Sequence, residues 1–288
     1  MALTAIQREL WAAQLDAFLT TMTVAGSVCD RNVVPSMDGG DTWHLVTPSD
    51  VSTFSVGDGS DISYSLPADG NTSITKNFDK GFALLELDTN VMQSGNAGWI
   101  QAFASNGAYQ LSSDLDTAIL AKHANWTDFY LSGTTVIQFT TTTAAEVPIF
   151  FAKLRLALRD AKVDNLGMPY IVGPTQFGEA LDSYNAQRAT PYGDEITLSG
   201  GQRAFTYQGF RVFISNNCTD ESSKTHGMAG IMGYGQALGT YLKPDMLEDL
   251  GRAESRYGNL YRGRLAAGFK VYRTTAVIDV NFNSNVVN

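Results

Sequence analysis

Residues Gly39 to Asn90 constrain the fold more than any other stretch of this chain. They open GGDTWHLV and close FALLELD, with apolar side chains alternating at Trp43 and Leu45 and again at Ala83, Leu85 and Leu87. Between them lies SVGDGSDISYSLPADGNTS, rich in Gly, Asp and Ser, so the pattern predicts two strands joined by a long polar excursion. Asp41, Asp50, Asp58, Asp61, Asp69, Asp79, Glu86 and Asp88 stand against only Lys76 and Lys80, which puts most of the chain's excess negative charge here. A two-stranded ribbon this poor in apolar residues is marginal in water. It needs support from outside itself, and a neighbouring subunit is the natural source.

The rest of the chain alternates helical and extended patterns. Ala5 to Phe18 reads as a helix, with Leu10, Trp11, Leu15, Phe18 and Leu19 at helical spacing, followed by an extended arm ending near Pro35. From Ala97 to His123, Ile100, Phe103, Gly107, Leu111, Leu115 and Ile119 share one face. Such a helix would be roughly 40 Å long, the dimension of a structural spine. Gly98 and Gly107 each weaken it by ~1 kcal/mol relative to Ala. After a Thr-rich strand region, Val136 to Thr143, EVPIFFAKLRLALRDAKVDNLG predicts a helix. Val147, Phe150, Phe151, Leu154 and Leu158 give its apolar face, Lys153, Arg155, Arg159 and Lys162 its basic one, and Gly167 its stop. RAFTYQGFRVFISNNC predicts strands turning at Gln208-Gly209. The last third mixes strand and helical pieces and closes on an alternating strand through Tyr272, Ala276, Ile278, Val280 and Phe282.

Little here points to chemistry. In MPYIVGPTQFGEALD, Gly173 and Gly178 have the spacing of a phosphate-binding loop, GxxxxGK[ST]. The positions that should carry Lys and Ser/Thr hold Glu179 and Ala180, and Pro174 removes a backbone donor. The stretch reads instead as strand, turn, and a helix that Pro174 starts at its first position. Asp58, Asp61 and Asp69 lack the EF-hand pattern and read as solvated turns. His44, His123 and His226 are scattered with no metal-spaced partner. Asp114 and Asp116, two apart on a helix, point to different faces. No catalytic residue, cofactor or metal is expected.

Bulk properties exclude further classes. A chain of 288 residues can bury a large core in one or two domains. Twenty Lys and Arg against 29 Asp and Glu give a net charge of −9, which argues against gripping nucleic acid through its phosphates. Cys29 and Cys218 are too few for a disulfide framework and read as reduced thiols. The start has no signal-peptide pattern, and no apolar run approaches the ~20 residues of a membrane span, so a soluble intracellular product with no membrane partner is expected.

The order of the parts carries more than any one of them. An arm comes first, then a GDT-initiated acidic hairpin ending in a DxxxxQS-like segment (Asp88 to Ser94), then a long helix. RLALRDAKV, MPYIVGPTQFGEAL, YQGFRVFISNN and GFKVYRTTAVIDV follow. This order resembles the major capsid proteins of tailed bacteriophages, the Hong Kong 97 fold, over nearly the whole chain. The resemblance implies an α+β fold with an N-terminal arm at 1–38, an E-loop at 39–90, a P-domain with its spine helix at 91–144, an A-domain at 145–267 and a return strand into the P-domain at 268–288. In it, Tyr170, Val172, Pro174 and Leu181 belong to the A-domain core, and the glycine spacing is coincidence.

The function implied is an icosahedral head shell around double-stranded DNA, in the virion, assembled in the host cytoplasm. Partners would be identical subunits in hexamers and pentamers and a portal, with a separate scaffolding protein, or none, since the chain starts directly at the arm. DNA would be enclosed without sequence-specific binding. Candidate subunit-interface residues are Trp11, Trp43, Phe54, Asp58, Asp61, Tyr64, Lys76, Phe78, Arg155, Arg159, Arg252 and Arg256. Some members cross-link subunits through an E-loop Lys, but the tip here, Gly57 to Asn71, has none. The main alternative is an encapsulin-type compartment shell enclosing a cargo enzyme. A degenerate nucleotide-binding enzyme and a tail or decoration protein rank below it.

Overall fold

The structure is a computed structural model describing residues 23–31, 42–48, 69–87, 99–128, 138–139, 146–188, 204–221, 224–241, 248–252 and 257–283. The helix expected at Ala5 to Phe18 lies outside these residues, as does most of the polar excursion. The arm's described part is not simply extended: Ala25–Val28 forms a short helix, α1, packed into this chain's own core.

The acidic ribbon differs from expectation in its pairing. Strand β1 (Thr42–Pro48) pairs antiparallel with β2 (Asp69–Thr75), from Thr42 opposite Thr75 to Pro48 opposite Asp69. The FALLEL segment is β3 (Phe78–Leu87), which joins a different sheet. The partner of β1 was hidden because DGNTSIT shows almost no apolar alternation. Only β-branched Thr72, Ile74 and Thr75 mark it as a strand.

Helix α2 (Trp99–Leu120) is the expected long helix, and a 3₁₀ turn at His123–Asn125 follows it. Its glycine at 107 is a close-approach position: a Cβ there would meet the Phe82 ring of β3 at 2.5 Å. Two-residue strands β4 (Thr127–Asp128) and β5 (Gln138–Phe139) come next. Helix α3 (Glu146–Asp160) ends seven residues before its expected stop. Val163 N–H donates to Leu158 C=O and Lys162 N–H to Arg159 C=O, with Lys162 at φ 57°. This is a Schellman ending with Lys where glycine is usual, and buried Val163 and Leu158 supply its apolar contact.

Strand β6 (Pro169–Gly173) and helix α4 (Thr175–Arg188) follow as strand, turn and helix. Pro174 C=O accepts the Gly178 N–H at 3.4 Å, so the proline caps the helix from one position earlier than expected. Gly173 lies beneath Phe177, where a Cβ would come within 2.7 Å of the ring. Close packing explains that glycine without any phosphate.

Strands β7 (Ala204–Tyr207) and β8 (Phe210–Ile214) form a hairpin through Gln208 and Gly209, at φ 47° and 81°. Two positive φ values are the type I′ turn that strand twist favours. The last third differs from expectation in being built of strands: β9 (Thr219–Glu221), β10 (Lys224–Ile231), β11 (Gln236–Tyr241), β12 (Glu248–Arg252), β13 (Gly258–Val271) and β14 (Val277–Asn283). Among the described residues, its only helical piece is a 3₁₀ turn at Thr274–Ala276, which shortens the closing strand.

Two sheets organise the core. The larger runs β4-β14-β10-β6-β8-β7, with β5 beside β14 and β9 beside β10. Ile171, Ala229, Ile278, Val280 and Phe282 lie on its face toward α3 and α4, packed with Phe151 and Phe177. Tyr170, Val172, Met228 and Val277 alternate onto the opposite face, against Leu111, Leu115 and Ile119 of α2. The second sheet is centred on β13, flanked by β3 on one edge and by β12 then β11 on the other. Among the described residues, no helix is long and apolar enough to cross a membrane.

Candidate functional site

The place where the ribbon meets the body is the most heavily tied surface feature. Strand β3 pairs with β13 from Phe78 opposite Ala267 to Leu87 opposite Gly258. Asn77, at the bend between β2 and β3, donates Nδ2 to Phe269 C=O at 2.8 Å and accepts the Phe269 N–H at 3.2 Å. Lys270 Nζ donates to Ser73 C=O at 3.0 Å. Asp79 takes the Arg264 guanidinium on both oxygens, with Nε at 2.6 Å, and Lys76 lies at 2.8 Å. The Arg264 hydrogen bonds, with help from Lys76, hold the Asp79 carboxyl well below the usual carboxylate range. Lys80 reaches Asp114 of α2 at 3.0 Å.

Beyond this clamp the hairpin stands apart. Strands β1 and β2 form a two-stranded sheet that shares no ladder with either larger sheet among the described residues. Such a ribbon lacks the strands or helix needed for independent stability. The base of the ribbon is thus tied to the body, where Ile74 of β2 is fully buried, and among the described residues β1 and β2 pair only with each other.

The expected interface residues fall into three groups. Trp11, Phe54, Asp58, Asp61, Tyr64 and Arg256 lie outside the described residues. Trp43 is in β1 opposite Ile74, and Arg252 is in β12 opposite Asn259. The others have partners within the chain. Lys76 pairs with Asp79, and Phe78 is 5% exposed in the α2-side core. Arg155 lies over the Phe210 ring at 5.8 Å, and Arg159 pairs with Asp164 at 3.1 Å. Phe78 thus anchors the ribbon's base and leaves little surface for a neighbour. Sequence reading missed Ile149 and Leu156, which are 52% and 49% exposed on α3. Their spacing of seven, two turns apart on one helix face, was the signal that could have found them.

Two of the three histidines, apart in sequence, meet in space. His123, just after α2, stacks on His226 of β10 with ring centroids 4.0 Å apart and planes at 19°. Glu221 of β9 approaches His123 Nε2 at 3.5 Å, and Asp279 of β14 approaches His226 Nδ1 at 2.9 Å. Sequence spacing could not reveal this, because the four residues come from separate elements. Both cysteines are free. Burial, reinforced by nearby carboxylates, pushes the Cys29 and Cys218 thiols up to about 12.

No protein-family model matches the chain, and no curated protein sequence matches it. Solved structures do. A structure from Mycobacterium phage Che8 aligns with a TM-score of 0.67 and 22% identity, covering 92% of this chain and 92% of its own. The capsid structure of cyanophage P-SCSP1u aligns with a TM-score of 0.62 and 15% identity, covering 91% and 89%. A virus-like particle from Pyrococcus furiosus aligns with a TM-score of 0.53 and 9% identity, covering 94% and 98%. The chain thus has the Hong Kong 97-type fold of phage capsid subunits over about nine-tenths of its length.

Proposed function

We propose that this chain is the major capsid protein of a tailed bacteriophage, many copies of which close an icosahedral head shell around double-stranded DNA. One observation carries the reading: about nine-tenths of the chain aligns with phage capsid structures, and among the described residues its acidic ribbon is a separate two-stranded sheet. In a shell, the ribbon lies across a neighbouring copy, which supplies the missing support. Trp43 on the hairpin, together with Trp11, Phe54, Asp58, Asp61, Tyr64, Arg252 and Arg256, is the candidate neighbour-facing set. Ile149 and Leu156 extend it across α3.

The shell's work in this reading is mechanical, with no catalysis. Identical subunits in hexamers and pentamers are the principal partners, joined by a portal. A net charge of −9 suits a container that must not hold down its DNA, since each neutralised phosphate adds affinity. Location in the virion head, after assembly in the host cytoplasm, follows from the same reading.

A compartment shell around a cargo enzyme is the second reading, motivated by the likeness to the Pyrococcus furiosus virus-like particle. It ranks second because that likeness is weaker than the likeness to the two phage structures. Electron microscopy of the protein isolated from the cells that make it, with assay of the contents of any closed shells, separates the two. Closed shells containing double-stranded DNA are the expected result. Closed shells holding protein cargo and no DNA would favour the alternative, and a dispersed monomer would defeat both.

A further inference from the structure

The stacked histidines lie outside everything the shell reading uses. The long helix ends and His123 follows in a 3₁₀ turn. His226 and Glu221 come from neighbouring strands, with Lys224 opposite Glu221 and His226 opposite Thr219. Strand alternation puts Glu221 and His226 on the same face of this pair. One ligand atom from each of His123, His226 and Glu221 lies within 4.8 Å of the others. Side-chain exposure is 15% for His123, 12% for His226 and 63% for Glu221, so two donors are held and the third can swing.

We propose that His123, His226 and Glu221 form a binding site for a divalent transition metal of the zinc class, with Asp279 as the orienting residue behind His226. Two imidazoles and a carboxylate, with water in the fourth position, are a donor set that zinc accepts. Tetrahedral ligands at zinc bond lengths stand about 3.3 Å apart. The three donor atoms therefore close in by rotation of exposed Glu221 and a fanning of the stacked rings, which brings their in-plane lone pairs to one point. Asp279, 5% exposed, faces His226 Nδ1 at 2.9 Å. A carboxylate there leaves Nε2 as the metal donor and fixes the ring, the usual support of a ligating histidine. The two carboxylates also balance a divalent charge.

The elements joined explain what the metal does. It ties the end of α2 to β9 and β10, and through Asp279 to β14. Bound metal acts as a clip between the long helix and the larger sheet, and its affinity adds to the folded state's stability. Magnesium, which prefers oxygen donors, is the wrong ion for this set.

Calorimetric titration of the chelator-treated full chain with zinc sulfate, paired with thermal unfolding, tests the site. One zinc per subunit and a higher melting temperature are expected, with no such response to magnesium chloride. The chain has three histidines in all, so background binding is easily assigned. Glu221→Gln and His123→Asn should each weaken zinc binding about tenfold or more, while His44→Ala should leave it unchanged. Cobalt(II) should give the visible absorption of a four-coordinate site in the parent chain and lose it in His123→Asn. Absence of saturable zinc binding would overturn the proposal. So would equal affinity in the parent, Glu221→Gln and His123→Asn chains, or loss of binding in His44→Ala alone.

Discussion

Asp116 and Asp79 show how much one carboxylate can decide. Asp116 is 2% exposed on α2, and it accepts the N–H groups of Val24 at 2.7 Å and Gly26 at 3.2 Å. It thereby caps α1 from another element and ties the arm to the spine. Asp116→Ala would leave two buried donors without their charged acceptor, at a cost of about 3 kcal/mol. The midpoint of denaturant unfolding should fall accordingly. Asp79 works at the surface, where its side chain is 37% exposed, so screening limits its pairs to no more than ~1 kcal/mol. Its carboxyl titrates lower in the folded chain than in the unfolded one, chiefly through Arg264. Stability from this group is therefore present above the unfolded value, about pH 4, and lost as pH falls below it. Asp79→Asn should lower stability at neutral pH, and its difference from the parent should shrink as the solution is acidified past that point. Urea midpoints of both proteins across pH would measure this.

At the scale of elements, the ends are as informative as the middles. Helix α3 stops through a left-handed Lys162 at φ 57°, a conformation costly for a residue with a Cβ. Lys162→Gly should raise stability by about 0.5–1 kcal/mol, visible as a higher melting temperature, because the Schellman hydrogen bonds already enclose that position. Sequence patterns made some elements legible and others not. Helices α2 and α3 were readable because their buried faces repeat at helical spacing, and the β7–β8 turn because Gly209, which accepts a positive φ, sits between two strand-like runs. Strand β2 was unreadable because its polar residues carry no alternation. The stop of α3 was misread because Gly167 is the conspicuous glycine, whereas the chain turns on a lysine. The histidine cluster was illegible for a different reason. His123 and His226 meet only when the sheet order is known, and no local spacing encodes that order.

For the whole molecule, the order of parts carried what individual motifs did not. The sheet around β13 and the sheet around β10 share α2 between them, so the spine braces both halves of the body. From that body the β1–β2 ribbon extends on the clamp of Asn77, Asp79 and Lys270. A head shell built from such subunits would draw its cohesion from ribbons laid over adjacent copies. Amide hydrogen exchange, compared between closed particles and subunits released from them, reaches this directly. Strong protection of residues 42–48 and 69–75 in particles, lost on release while the β13 and β10 amides stay protected, is the predicted result. Equal protection of the ribbon in free subunits and in particles would contradict it.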